Sequence, residues 1–201
     1  MAAEFAGSAG SIAPLAPSSL FVIWGGPNDF LSPSPLDGGD PLKTADRAVA
    51  DLLALVAGAQ GLGAQHILVP GMPDLGLTPY FQSIGEGALG SSLTDYFNGK
   101  LKSGLPSGVT YFDTAGLMRN IVANPGAYGF TDVTDACFNA AVPSLCANPD
   151  SYLFFDDFHP SAHAQSIVAN GFTSAVVPEP ATYVLFVSAF AFAAVARLIR
   201  R

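Results

Sequence analysis

Leu20-Phe21-Val22-Ile23-Trp24-Gly25-Gly26-Pro27-Asn28-Asp29 decides the fold of this 201-residue chain. Five apolar residues run without a break and stop at two glycines and a proline. A run this short, apolar throughout and closed by turn residues, reads as a strand buried in a parallel sheet. Residues 66–69, stopped by Pro70-Gly71, read as a second buried strand, and 109–112, ending at Asp113, as a third. Helical patterns fill the intervals. Residues 45–60 place Ala48, Leu52, Leu55 and Val56 on one face and Asp46, Arg47 and Asp51 away from it. Residues 91–102 carry Leu93, Tyr96, Phe97 and Leu101 on one stripe, with Ser91 and Ser92 as the helix start. Residues 115–124 read as a short helix stopped by Pro125-Gly126, and 126–153 read as irregular. Pro160 opens a last helix reaching about Asn170. Strands alternating with helices predict an α/β domain of three layers around a parallel sheet.

In such sheets the reactive groups lie in loops beyond the carboxyl ends of the strands. Asn28 follows the first strand on a Gly-Gly-Pro turn, which can present its amide outward. A neutral donor on a rigid turn suits an oxyanion, although the four residues Gly26 to Asp29 by themselves signal only a turn. The second site stretch is Phe154-Phe155-Asp156-Asp157-Phe158-His159-Pro160-Ser161. The three-residue spacing lets Asp156 fold back onto the His159 imidazole. A carboxylate on one ring nitrogen fixes the tautomer and leaves the other as a base. This is two-thirds of a nucleophilic triad. Asp156, Asp157, His159 and His163 form an alternative set with metal-ligand spacing. His66 begins a strand and reads as structural.

The charge is -8. Without Glu179, Arg197, Arg200 and Arg201, 15 acidic and 5 basic groups remain, a surface that repels phosphate backbones and argues against a nucleic-acid partner. Cys137 and Cys146 are close enough to close a short loop by a disulfide in an exported protein, with two buried thiols as the other reading. Met1-Ala2-Ala3-Glu4-Phe5 has neither the basic start nor the apolar run of a signal peptide. At the other end, 17 uncharged and mostly apolar residues, 180–196, precede Arg197, Arg200 and Arg201. That length is at the short end of a bilayer span, about 17–25 residues. Terminal arginines would stay cytoplasmic and leave the main domain outside.

The Asn28 and His159 stretches together resemble the SGNH or GDSL hydrolases. Val22 to Phe30 is similar to the family's third block, whose asparagine belongs to the oxyanion hole. Asp156-Asp157-Phe158-His159-Pro160 is similar to its fifth, with Asp156 and His159 in the triad positions. Ile67 to Gly76, Phe112-Asp113-Thr114 and Asn124 to Phe130 extend the resemblance, closest to the lipase-like bacterial and plant branch, over roughly residues 1–175. The resemblance implies a three-layer αβα, flavodoxin-like fold and an ester hydrolase that needs neither metal nor other cofactor. It implies catalytic roles for His159 and Asp156, an oxyanion donor in Asn28, and a lipid or small acyl ester as substrate.

The family's first block, a Gly-Asp-Ser, has no counterpart here. Ser8, in Ala6-Gly7-Ser8-Ala9-Gly10, is the nearest imitation and reads as a polar turn. The expectation is therefore a fold missing its first strands, with the strand at 20–24 as an exposed edge and a chain that is inactive as written. A non-catalytic envelope protein derived from such a hydrolase is the alternative. The tail resembles a PEP-CTERM sorting signal over 176–201: the motif at 177–180, a transmembrane helix at 181–196 and a basic end at 197–201. That resemblance implies an exosortase as partner and a place in the bacterial cell envelope, anchored in the membrane before sorting.

Overall fold

The computed structural model describes residues 2–31 and 35–177. Strands β1 (Leu20–Val22), β2 (His66–Pro70) and β3 (Thr110–Phe112) form one parallel sheet in the order β1-β2-β3. Leu20 stands opposite His66, and Leu68 opposite Thr110. Beyond β1, the Ile23 N–H donates to the Leu68 carbonyl at 2.9 Å and continues the ladder toward the Gly-Gly-Pro turn.

Side-chain alternation along the strands sorts the two faces. Phe21, Ile23, Ile67, Val69 and Tyr111 enter the main core, which they share with two long helices. Helix α1 (Ala2–Ile12) packs outside these, α2 (Pro27–Leu31) follows β1, and the first long helix is α3 (Pro41–Gly61). Helix α3 starts one turn before the expected position because the Asp40 carboxylate caps it, accepting from Leu42 N at 2.9 Å and Lys43 N at 3.4 Å. The short helix α4 (Pro79–Ser83) leads to the second long helix, α5 (Gly87–Gly104). Ser91 and Ser92 therefore lie inside α5 rather than at its start. Ser91 Oγ donates to Asp74 at 2.8 Å.

Helices α6 (Thr114–Ala123) and α7 (Ala162–Val176) complete the helical set of the described residues. The opposite face of the sheet meets α7 through Phe172, whose ring stands edge-on to Trp24 at 5.3 Å and to Phe112 at 5.0 Å. The arrangement is the expected α/β one, with α3 and α5 on one side and α7 on the other.

Several local expectations are corrected. The first strand is shorter than the apolar run and is not buried on both faces. It sits, as expected for the strand at 20–24, at the edge of the described sheet, with Leu20 47% and Val22 49% exposed. Residues 126–153 are not irregular: they hold β4 (Asp132–Ala136), the hairpin β5 (Phe138–Asn139) with β6 (Ser144–Leu145), and the start of β7 (Tyr152–Phe154). Strands β4 and β7 pair in parallel, and a Cys137–Cys146 disulfide ties the hairpin, with Cα atoms 4.9 Å apart. Pro160 does not open the last helix; Ser161 caps it, its hydroxyl accepting from Ala164 N at 3.2 Å. Ser8 belongs to α1, not to a turn, and His66 is exposed at its strand end. The sorting segment expected at 176–201 lies outside the described residues apart from Val176, the last residue of α7, and Val177. Among the described residues, no helix is long and apolar enough to cross a membrane.

Candidate active site

Strand β1 ends where the chain must turn sharply beside the core. Gly26 has φ +122°, and a Cβ there would stand 2.7 Å from Phe97 Cζ. Phe97 is fully buried, so only glycine lets the backbone pass. Pro27 then begins α2, and Asn28 is exposed on its first turn. The next residue, Asp29, is anchored from a distance. Arg47 on α3 reaches Asp29 Oδ1 through Nη1 at 3.2 Å and holds Asp37 with Nε at 3.0 Å and Nη2 at 2.8 Å. The Arg47 guanidinium outweighs the opposing push of burial and, with the Thr44 hydroxyl, holds the Asp37 carboxyl below the ordinary carboxylate range.

The histidine segment is built locally. β7 delivers the chain to Phe155, and two hydrogen bonds bring it back: Phe155 N to His159 O at 2.8 Å and Ser161 N to Leu153 O at 2.9 Å. Inside this loop the Asp156 carboxylate accepts from Phe158 N at 2.9 Å and His159 N at 2.7 Å. Both its oxygens lie 2.9 Å from His159 Nδ1. Burial pushes the Asp156 carboxyl up, but the two backbone N–H groups and the His159 ring outweigh it and hold the group below its usual value. An ionised Asp156 places the ring proton on Nδ1 and leaves the Nε2 lone pair as a base. The His159 side chain is 71% exposed, open to whatever occupies the site. Tyr80 N, at the start of α4, donates to Asp157 O at 3.1 Å and fastens the loop to the next layer, where Tyr80 also meets the Phe158 ring at 4.8 Å.

Asn28 and His159, 131 positions apart in sequence, line one cavity of about 470 Å³. Its wall is mostly apolar, with Leu75, Leu117, Ile121 and Leu153 among the lining residues. That is the size and character of a small-molecule site. Among the described lining residues the hydroxyl groups are those of Thr78 and Thr114, and none is a serine. Sequence reasoning missed both threonines; their side chains become site features only when α4, α6 and α7 assemble. His163, the fourth member of the metal-spaced set, points elsewhere: its Nε2 bonds the Tyr128 carbonyl at 2.8 Å and its ring packs on Phe130. The described residues contain no cluster of three or more His, Cys, Asp or Glu fit to hold a metal ion.

Comparison of the sequence with known proteins finds one family. The sequence model of the GDSL-like lipase/acylhydrolase family matches residues 8–172. The chain is similar to the GDSL esterase/lipase EXL6 of Arabidopsis thaliana, 30% identical over 174 residues, covering 76% of this chain and 50% of that protein. A second GDSL esterase/lipase of the same plant is 29% identical over 191 residues, with coverage of 80% and 55%. EXL5 is 32% identical over 126 residues, covering 53% of this chain and 35% of that protein. The chain spans about half the length of the first two relatives.

Proposed function

Because the chain belongs to the GDSL-like lipase/acylhydrolase family, we propose that it carries the base, the orienting carboxylate and an oxyanion donor of an exported ester hydrolase. One observation carries the reading: His159, paired with Asp156 at 2.9 Å, lines an apolar cavity together with Asn28. In the reaction a serine hydroxyl attacks the ester carbonyl carbon while His159 Nε2 takes its proton. Asp156 stays ionised and stabilises the imidazolium, and Asn28 donates to the oxyanion that forms. His159 then returns the proton to the leaving alcohol, and water repeats the cycle on the acyl-enzyme. The apolar wall receives the acyl chain.

The nucleophilic serine in this proposal is not one of this chain's: its sequence holds no Gly-Asp-Ser, and no described serine lines the cavity. Export is supported by the Cys137–Cys146 disulfide, a bond that persists in oxidising compartments. A bacterial envelope location, with exosortase processing near Pro178-Glu179-Pro180, is supported by the sequence of the tail alone.

Decanoate, the acid product of a medium-chain ester, tests the reading. Titrated into the whole chain, it is expected to shift the Asn28 side-chain amide and the His159 ring resonances saturably. Absence of shifts at both residues sinks the proposal. p-Nitrophenyl butyrate tests the nucleophile separately. Turnover near the buffer rate is expected, and strong hydrolysis lost in His159→Ala would keep the ester reading while overturning an external serine.

A further inference from the structure

The α6 side of the cavity presents Thr114, Leu117, Met118 and Ile121, the spacing of one helical face. Three of the four are apolar. Thr114 is 3% exposed, and its Oγ1 is the buried side-chain polar atom that has no hydrogen-bond partner among the described residues. The rest of the fold does not neglect its threonines. Thr78, on the same cavity wall, donates to Leu75 O at 2.7 Å. Thr44 donates to Asp37 at 3.0 Å and Thr94 to Gly90 O at 2.9 Å. Asp113, the residue before Thr114, is spent on the helix cap, accepting from Gly116 N at 2.9 Å. An unpaired hydroxyl in an apolar wall is costly unless something brought into the cavity completes it.

We propose that Thr114 is a ligand-recognition residue whose hydroxyl bonds an oxygen carried on the acyl chain. The preferred substrate is then an ester of a medium-length hydroxylated acyl group, not of a plain hydrocarbon chain. This rests on the ester-hydrolase reading of the cavity. The oxygen is not that of the reacting carbonyl. Asn28 and His159, which would meet that carbonyl, are exposed, whereas Thr114 belongs with Leu153 and Ala164 to the buried part of the same lining, all three 3% exposed or less. The atom that satisfies Thr114 therefore lies deeper in the cavity, along the chain and away from the bond that breaks.

The test compares decanoate with its 2-, 5-, 8- and 10-monohydroxy derivatives by calorimetric titration of the whole chain. At least one hydroxydecanoate is expected to bind about three- to tenfold more tightly than decanoate, the net worth of one hydrogen bond. Thr114→Val removes the hydroxyl at nearly constant volume. It should abolish that preference and leave the unfolding midpoint unchanged or raised, because it removes an orphan. Thr114→Ser should retain the preference. Equal binding of all five acids by the wild-type chain overturns the proposal and leaves the ester reading standing. Preference that survives in Thr114→Val overturns it as well. If no acid binds, both readings fall.

Discussion

The two arms of the site are held in opposite ways. The Asn28 arm depends on residues far away in sequence: Phe97 forces glycine at position 26, and Arg47 ties Asp29 to Asp37. The His159 arm is nearly self-contained, since its decisive bonds run from Asp156 to the two residues two and three positions on. Under the proposed roles, the Asn28 donor hangs on the global fold, whereas the His159 base and its Asp156 carboxylate form a unit that the local chain can preserve on its own.

The sharpest way to break this comparison is Gly26→Ala. The substitution combines a positive φ with a Cβ driven 2.7 Å from a buried ring atom. Backbone strain and overpacking together should cost roughly 2–4 kcal/mol. The fall in the urea midpoint measures it, and a loss under 1 kcal/mol would show that Phe97 yields and the turn is not fixed by that contact. The His159 arm has its own covalent support one layer back. Cys137 N and Phe138 N donate to Phe154 O and Phe155 O at 3.1 and 2.7 Å, so the disulfide hairpin braces β7. Replacing both cysteines by serine should cost about 2–3 kcal/mol, the chain-entropy value for a loop of this length. Exchange of the Phe155 amide should rise while the Asn28 segment is unmoved.

The same division explains what the sequence disclosed. Asp156 and His159 are three positions apart, so their contact could be read from spacing, and the β1, β2 and β3 runs could be read from short, largely apolar stretches closed by turn residues or an aspartate. Arg47 could not be placed. On helix periodicity it lies off the apolar face and reads as solvated, yet it is the clamp for Asp29, 18 positions earlier. The run Tyr152-Leu153-Phe154-Phe155 carries the same apolar signature as β1, but its proximity to the cysteine loop hid it as a strand. It proved to be β7, which aims the histidine loop. The orphan hydroxyl of Thr114 had no local sign at all. Its surroundings come from α6, β7 and α7, and only their packing makes a threonine conspicuous.

Arg47→Met tests the long-range arm directly, keeping the stem and removing the guanidinium. Asp37, 5% exposed, then loses its main partner, and the chain should be less stable at pH 7. The sign of the pH dependence follows from the depressed Asp37 carboxyl. Its stabilisation is fully present above the unfolded value of about 3.9 and is lost as pH falls through the lower folded value. The difference between variant and wild type should therefore be widest above about pH 5 and shrink below about pH 4. Urea titrations at both ends measure it; a gap that is equal at pH 7 and pH 3 would remove the ion pair from the account. The Asn28 amide resonance should move in this variant, and the His159 ring should not.

Asp156→Ala gives the smallest global effect and the most local one. Asp156 is part-exposed, so the lost bonds to Phe158 N, His159 N and the imidazole should lower stability by only about 1 kcal/mol after solvent replaces them. The effect should concentrate in the loop. Amide exchange at Phe158 and His159 should rise sharply, with Asp29 and Asn28 unchanged. Acid should reproduce this in the wild-type chain. Asp156 is held below its ordinary value, so its bonds persist through mild acid and fail only as pH drops through that lowered folded value, below about 4. Asp156→Asn separates geometry from charge, because its amide oxygen can still accept the two backbone N–H groups while no carboxylate remains to keep the proton on Nδ1. Loop exchange close to wild type, together with a ring tautomer moved toward Nε2–H in nitrogen NMR, would show that the backbone bonds shape the loop and the charge prepares the base. Loop exchange as fast as in Asp156→Ala would instead make the charge responsible for both, and the His159 arm would be less independent than its short hydrogen bonds suggest.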